Sequence, residues 1–86
     1  MHERTVADVE AMIREEKRLE AIESHAEAWA EGEAAGIDPD IIAEAALATA
    51  LGEFARAEGE NAALALIDRM RDRVLSGEFT RRSHLN

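Results

Sequence analysis

Residues 39–57, PDIIAEAALATALGEFARA, decide the fold, because this stretch has the composition of a helix that is apolar on nearly every side. Between Glu44 and Glu53 it carries no charged residue. Gly52 costs about 1 kcal/mol against alanine inside a helix, so it either permits another helix to cross closely or is simply tolerated. Two neighbouring helices of the same chain cannot cover a helix that is apolar all round. The face they leave open is therefore a candidate interface.

The second helix also has clear borders. Asp38 is a candidate N-cap, and Pro39 suits the first helical position. Gly59 is predicted to end this helix, and a third helix follows over about residues 61–76, with Gly77 as its cap. Phe79 is expected to fold back over the last turn of the third helix. Its apolar face consists of Ala63, Ile67, Met70 and Val74, widened by Leu64 and Leu66.

The first helix is predicted to be long. Thr5 and Asp8 form a capping box at its start, and Gly36 supplies the left-handed residue that ends it after Ala35. We therefore predict an all-α protein: a small three-helix up-down-up array with a long N-terminal helix, a central apolar helix and a C-terminal helix, completed by self-association.

The apolar face of the first helix drifts along its length. One cluster lies near its start, and a second stripe from Leu19 to Trp29 lies roughly 140° away around the helix. Either the second half packs within the chain while the first half packs on something else, or the helix breaks near residues 14–18, or its N-terminal arm frays. The interface residues predicted from the drifting face and the apolar central helix are Val6, Val9, Ile13, Leu47 and Leu51.

Length and composition favour one small domain that needs support. The 86 residues are predicted to form a single helical domain, with residues 1–4 and 80–86 as flexible ends. A chain this short buries only about 60% of its unfolded surface, so its stability is marginal without disulfides, a metal or oligomerisation. The chain has no cysteine, which excludes disulfides and thiolate metal sites, and we expect a homodimer. The absence of cysteine, of a signal-peptide core and of a long apolar run fits a cytoplasmic protein.

The net charge of −9 restricts the class of partner. Residues 1–60 carry 16 acids and 5 bases, whereas residues 61–86 carry 3 acids and 5 bases. An acidic protein is repelled by nucleic-acid phosphates and by anionic membranes, so we predict neither as a partner. The arginines of the third helix do not change this view, because they alternate in direction and have Asp68 and Asp72 among them.

Candidates for chemistry are few. Glu23, His25 and Glu27 are weak candidates for metal binding, since carboxylates and histidines on facing helices hold metals inside bundles. A solvated acidic face explains them better, and we predict no metal and no cofactor. The chain has no cysteine, no tyrosine, no serine with an evident base partner and no glycine-rich phosphate loop, so we predict no catalytic residue and no enzymatic activity.

These observations favour a small non-enzymatic helical interaction protein that self-associates. Two alternatives of other classes stay open. The first is a metal-binding helical oligomer that uses a Glu/His face assembled between subunits. The second is an acidic adaptor whose glutamate-rich first helix binds a basic protein partner.

Overall fold

The computed structural model describes residues 5–80, and nearly all of them are helical. Helix α1 spans Val6–Ala34, α2 spans Pro39–Glu58 and α3 spans Glu60–Leu75. Residues 78–80 begin a further helical turn. No β-strand occurs in this part of the chain, so the prediction of an all-α small helical array is confirmed. Thr80 was expected in a flexible end but is helical, and the other predicted flexible residues, 1–4 and 81–86, lie outside the described residues.

The start of α1 is the predicted capping box. The Asp8 backbone N–H donates to Thr5 Oγ1 at 3.1 Å, and the Thr5 N–H donates to Asp8 Oδ2 at 3.2 Å. Two amide groups that a helix start leaves without an intrahelical acceptor are thereby satisfied. Asp8 also places its negative charge at the positive end of the helix dipole.

Helix α1 is continuous, so the alternative of a break near residues 14–18 is wrong. Arg18 donates to both carboxylate oxygens of Glu15, at 2.9 and 2.6 Å, and Lys17 Nζ lies 3.6 Å from Glu20. These i,i+3 pairs bridge the region in which the apolar face changes side. Neither glycine nor proline occurs between residues 6 and 31 to interrupt the helix. The apolar face therefore drifts along an unbroken helix.

The end of α1 is a Schellman motif. Gly36 has a φ of 82°, and its N–H donates to the Glu33 carbonyl at 2.9 Å, while the Ile37 N–H donates to the Gly32 carbonyl at 3.1 Å. Helix α2 starts three residues later at Pro39, and its first turn returns to α1. A Cβ added at Gly32 would lie 2.9 Å from Ile42 Cδ1. Gly32 therefore allows the close approach of Ile42.

One residue, Gly59, joins α2 to α3. Its φ of 100° lies in the left-handed region, which glycine enters without strain. The Gly59 N–H donates to the Ala55 carbonyl at 2.8 Å and completes α2, while the Gly59 carbonyl accepts from the Ala63 N–H at 3.2 Å and opens α3. The same residue thus belongs to the hydrogen-bond ladders of both helices.

The end of α3 folds back as predicted. Gly77 has a φ of 80°, and its N–H donates to the Val74 carbonyl at 3.0 Å. Arg73 lies over the Phe79 ring, with its guanidinium carbon 5.4 Å from the ring centre, and also pairs with the Glu78 carboxylate. These contacts hold the segment after Gly77 against the last turn of α3.

The chain divides into two compact units, Met1–Ile42 and Ala43–Asn86, and the division falls within α2. The prediction of a single helical domain stays a prediction. In the second unit, Ala63 is buried at 7% exposure, and Phe54, Ala55 and Leu66 are half-buried. No residue of α2 is fully buried, although its sequence led us to expect the most buried helix. Small side chains explain part of this difference, because they cover little of their neighbours.

Candidate functional site

The second unit carries an apolar groove between α2 and α3. Its volume is about 410 Å³. Both walls present mainly aliphatic side chains, with one arginine among them. The lining residues are Leu47, Ala50 and Leu51 from α2 and Leu66, Ile67, Met70, Arg71 and Val74 from α3.

The groove follows from the sequence pattern of each helix. Leu47, Ala50 and Leu51 are spaced i, i+3, i+4, which places them on one side of α2. One side of α3 likewise carries three apolar residues at the spacing i, i+3, i+7, namely Ile67, Met70 and Val74. Because Gly59 is the whole connection, the chain turns back at once and the two apolar faces line the same space. Of the apolar face predicted for the third helix, Leu66, Ile67, Met70 and Val74 line the groove, whereas Leu64 does not line it and is 52% exposed.

The walls of the groove remain open to solvent. Leu47 and Val74 are each 60% exposed, and Ile67 is 43% exposed. Ala50 contributes only a methyl group, which leaves room between the larger side chains. A volume near 400 Å³ lies in the range of small-molecule pockets, but such pockets also contain several converging polar groups that orient the ligand. Within residues 5–80, this groove has one polar side chain, so its chemistry favours apolar side chains of another helix.

The predicted interface residues fall in two places. Leu47 and Leu51 line the groove. Val6, Val9 and Ile13 belong to the first unit, where they share one side of α1 and are 75%, 43% and 51% exposed. Each set is available to a partner, and that these residues form an interface stays a prediction.

Sequence reasoning missed Arg71. From the sequence we treated it only as one of several arginines of the third helix that alternate in direction. In the structure Arg71 lines the groove at the position i+4 from Ile67, where the pattern of α3 otherwise has apolar residues. That interruption of an apolar pattern by a charge was the available signal.

The weak metal candidates do not come together. Glu23 and Glu27 lie on one side of α1 beside Glu20 and Ser24, whereas His25 is about 200° around the helix from each of them. His25 Nδ1 lies 2.8 Å from the Ala21 carbonyl, which can only accept, so this nitrogen carries the proton. Among residues 5–80, no three His, Cys, Asp or Glu side chains are arranged to hold a metal ion.

The charged side chains of α1 are exposed to solvent. Glu15 and Arg18 are both exposed and form an ion pair on its surface. The hydrogen bond from Arg18 lowers the pKa of the Glu15 carboxyl, and the same bond raises the pKa of Arg18. These shifts reflect a local ion pair and do not indicate a catalytic group.

No helix in the described part of the chain combines the length and the apolarity needed to cross a membrane. No family model matches this chain, and no curated protein and no solved structure is significantly similar to it.

Proposed function

We propose that this chain is a small cytoplasmic interaction protein without enzymatic activity, which forms a homodimer through the groove between α2 and α3. The observation that carries this proposal is the groove itself, an apolar surface with seven uncharged lining residues and exposed leucine and valine side chains. Exposed apolar surface on this scale marks interaction sites in soluble proteins.

A second copy suits the groove because each copy has an apolar face that its own helices leave uncovered. Each α2–α3 pair presents one open apolar face, and two such faces pressed together give a four-helix arrangement with a closed core. The protruding Leu47 and Val74 of one copy can enter the space left beside Ala50 in the other. In a dimer with two-fold symmetry, every contact between one residue of the first copy and another of the second copy occurs twice.

Burial in the dimer would supply stability that one copy lacks. Ala63, at 7% exposure, is the only buried hydrophobic residue among those described. Complete burial of a leucine side chain stabilises by about 1.5–3 kcal/mol, so burying the exposed 60% of Leu47 contributes about 1–2 kcal/mol per copy. A symmetric dimer buries two copies of Leu47, so this stabilisation counts twice.

Sedimentation equilibrium of wild-type protein and two alanine variants tests the proposal. We expect the wild type at twice 9.4 kDa in low and in high salt, because apolar burial is not screened. Leu47→Ala removes about 2–4 kcal/mol per dimer and should raise the dissociation constant roughly 30- to 700-fold. Ile41→Ala is the matched control: Ile41 has a similar exposure of 57%, lies on the same helix and does not line the groove.

Two results would contradict the proposal. One is a wild-type mass of 9.4 kDa at high micromolar concentration. The other is equal weakening by Leu47→Ala and Ile41→Ala, which would place the interface elsewhere on α2.

An acidic adaptor remains the second candidate, supported by the exposed carboxylates of Glu20, Glu23 and Glu27 on one side of α1. It predicts that a basic peptide binds at low salt and dissociates at high salt. Glu23→Gln together with Glu27→Gln should weaken that binding, and an unchanged affinity would exclude this face.

A further inference from the structure

Among the residues that the structure describes, Arg71 is the only charged one that lines the groove. No acidic side chain in the described part of the chain forms an ion pair with it. A dimer formed through this groove would bring the guanidinium close to an interface from which water is excluded. An unpaired charge in that place opposes association, whereas a carboxylate within reach removes the penalty.

The position of Arg71 along the α2–α3 pair limits which carboxylate can serve. Arg71 lies twelve residues after Gly59 and Leu47 lies twelve residues before it, so the two stand at the same level and line the same groove. If the two-fold axis runs along the helices, α3 of one copy lies beside α2 of the other with these levels preserved. The partner carboxylate must then come from α2 near the level of Leu47.

Glu44 meets this requirement. It precedes Leu47 by three residues and Leu51 by seven, so it lies on the groove side of α2 and about 4.5 Å along the axis from the level of Arg71. Like Arg71, Glu44 forms no ion pair among the residues that the structure describes. Glu58 shares this side of α2 but lies eleven residues, or about 16 Å, from that level.

We propose that Arg71 of each copy pairs with Glu44 of the other copy, so that two symmetry-related ion pairs set the register and the partner choice of the homodimer. This inference rests on the proposed function and adds to it the charged residues that pair across the interface. The apolar side chains supply the affinity, and the two ion pairs reject arrangements that leave Arg71 without a carboxylate.

Charge reversal tests the pairing directly. R71E and E44R each place like charges together twice, so each variant alone should dimerise at least about tenfold more weakly than the wild type. Mixed in equal amounts, the two variants should form a heterodimer, because each interface then contains one Glu–Arg pair of each kind. The double variant R71E/E44R should regain the wild-type dissociation constant to within about threefold, and R71E/E58R is the control that should not. Sedimentation equilibrium gives the masses, native mass spectrometry identifies the heterodimer, and circular dichroism checks that each variant is helical.

The outcomes separate this inference from the proposed function. If the wild type dimerises and R71E dimerises equally well, the ion pair is wrong and the apolar groove stands. Recovery by E58R as well as by E44R would also overturn the inference, since a general charge effect would then explain it. A monomeric wild type would overturn both proposals.

Discussion

Two helical glycines with opposite surroundings offer a sharp test of the packing. Gly52 lies inside α2, and a Cβ added there meets no neighbouring atom of the described chain within 4 Å. Gly32 lies in the last turns of α1, and its added Cβ would lie 2.9 Å from Ile42 Cδ1 and 3.3 Å from Ile42 Cγ1. The same substitution, glycine to alanine, therefore removes the same backbone freedom in two different environments.

The expected changes in the free energy of unfolding differ between the two sites. Alanine favours a helix interior by about 1 kcal/mol over glycine, and nothing at Gly52 opposes the added methyl group. Gly52→Ala should therefore raise the melting temperature by about 4–8 °C. At Gly32 the contacts are shorter than van der Waals distance, and overpacking costs about 1–3 kcal/mol, so Gly32→Ala should be neutral to destabilising by about 2 kcal/mol.

Thermal and urea unfolding followed by circular dichroism, at one protein concentration, measure the melting temperatures and the free energies of unfolding. Ile42→Ala serves as the background that removes the crowding, because Gly32→Ala introduced into it should regain the full stabilisation of alanine. A loss of stability in Gly52→Ala would refute the reasoning, since it would mean that another helix crosses α2 at Gly52. Equal stabilisation at both sites would show that Ile42 does not pack on Gly32.

Two further predictions concern α1. Thr5→Ala removes the capping box, which is worth about 1 kcal/mol, so amide exchange of the first turn should become about five times faster while Thr5→Ser stays close to wild type. Because Val6 is 75% exposed, the change should be local, and an equal loss of global stability would contradict this view of the helix start. The lowered pKa of Glu15 means that its pairing with Arg18 stabilises the folded state above the unfolded pKa and is lost as the pH falls through the folded pKa. NMR titration should find the Glu15 pKa below its ordinary range in wild type and within it in Arg18→Gln, and identical values in both proteins would exclude the ion pair.

The features that sequence reasoning predicted correctly are those with local causes. Thr5 caps α1 through Asp8, which is only three residues away. Gly36 ends α1 because its own backbone adopts a positive φ, which depends on no distant residue. Pro39 opens α2 for the same kind of reason. Each signal lies within one turn of the structure it produces.

What sequence reasoning missed depends on contacts between separate turns of chain. The role of Gly32 follows from Ile42, ten residues later, and no local pattern shows which side chain will lie over it. The place of Arg71 in the groove depends on how α3 returns along α2. From the sequence we treated this arginine as one of several that alternate in direction, whereas its neighbours in space decide what it can do.

The one-residue connection at Gly59 makes this region unusually intolerant of changes in length. Surface loops normally absorb insertions, because extra residues bulge outward without moving the elements that they join. Here the hydrogen-bond ladders of α2 and α3 meet at one residue. An added residue that continued α3 would rotate each later side chain by about 100° and shift it by about 1.5 Å, taking Arg71 and Val74 away from the groove. The one-residue connection at Gly59 therefore fixes the rotation of α3 relative to α2. The length of the chain at this point decides which side chains of α3 line the groove.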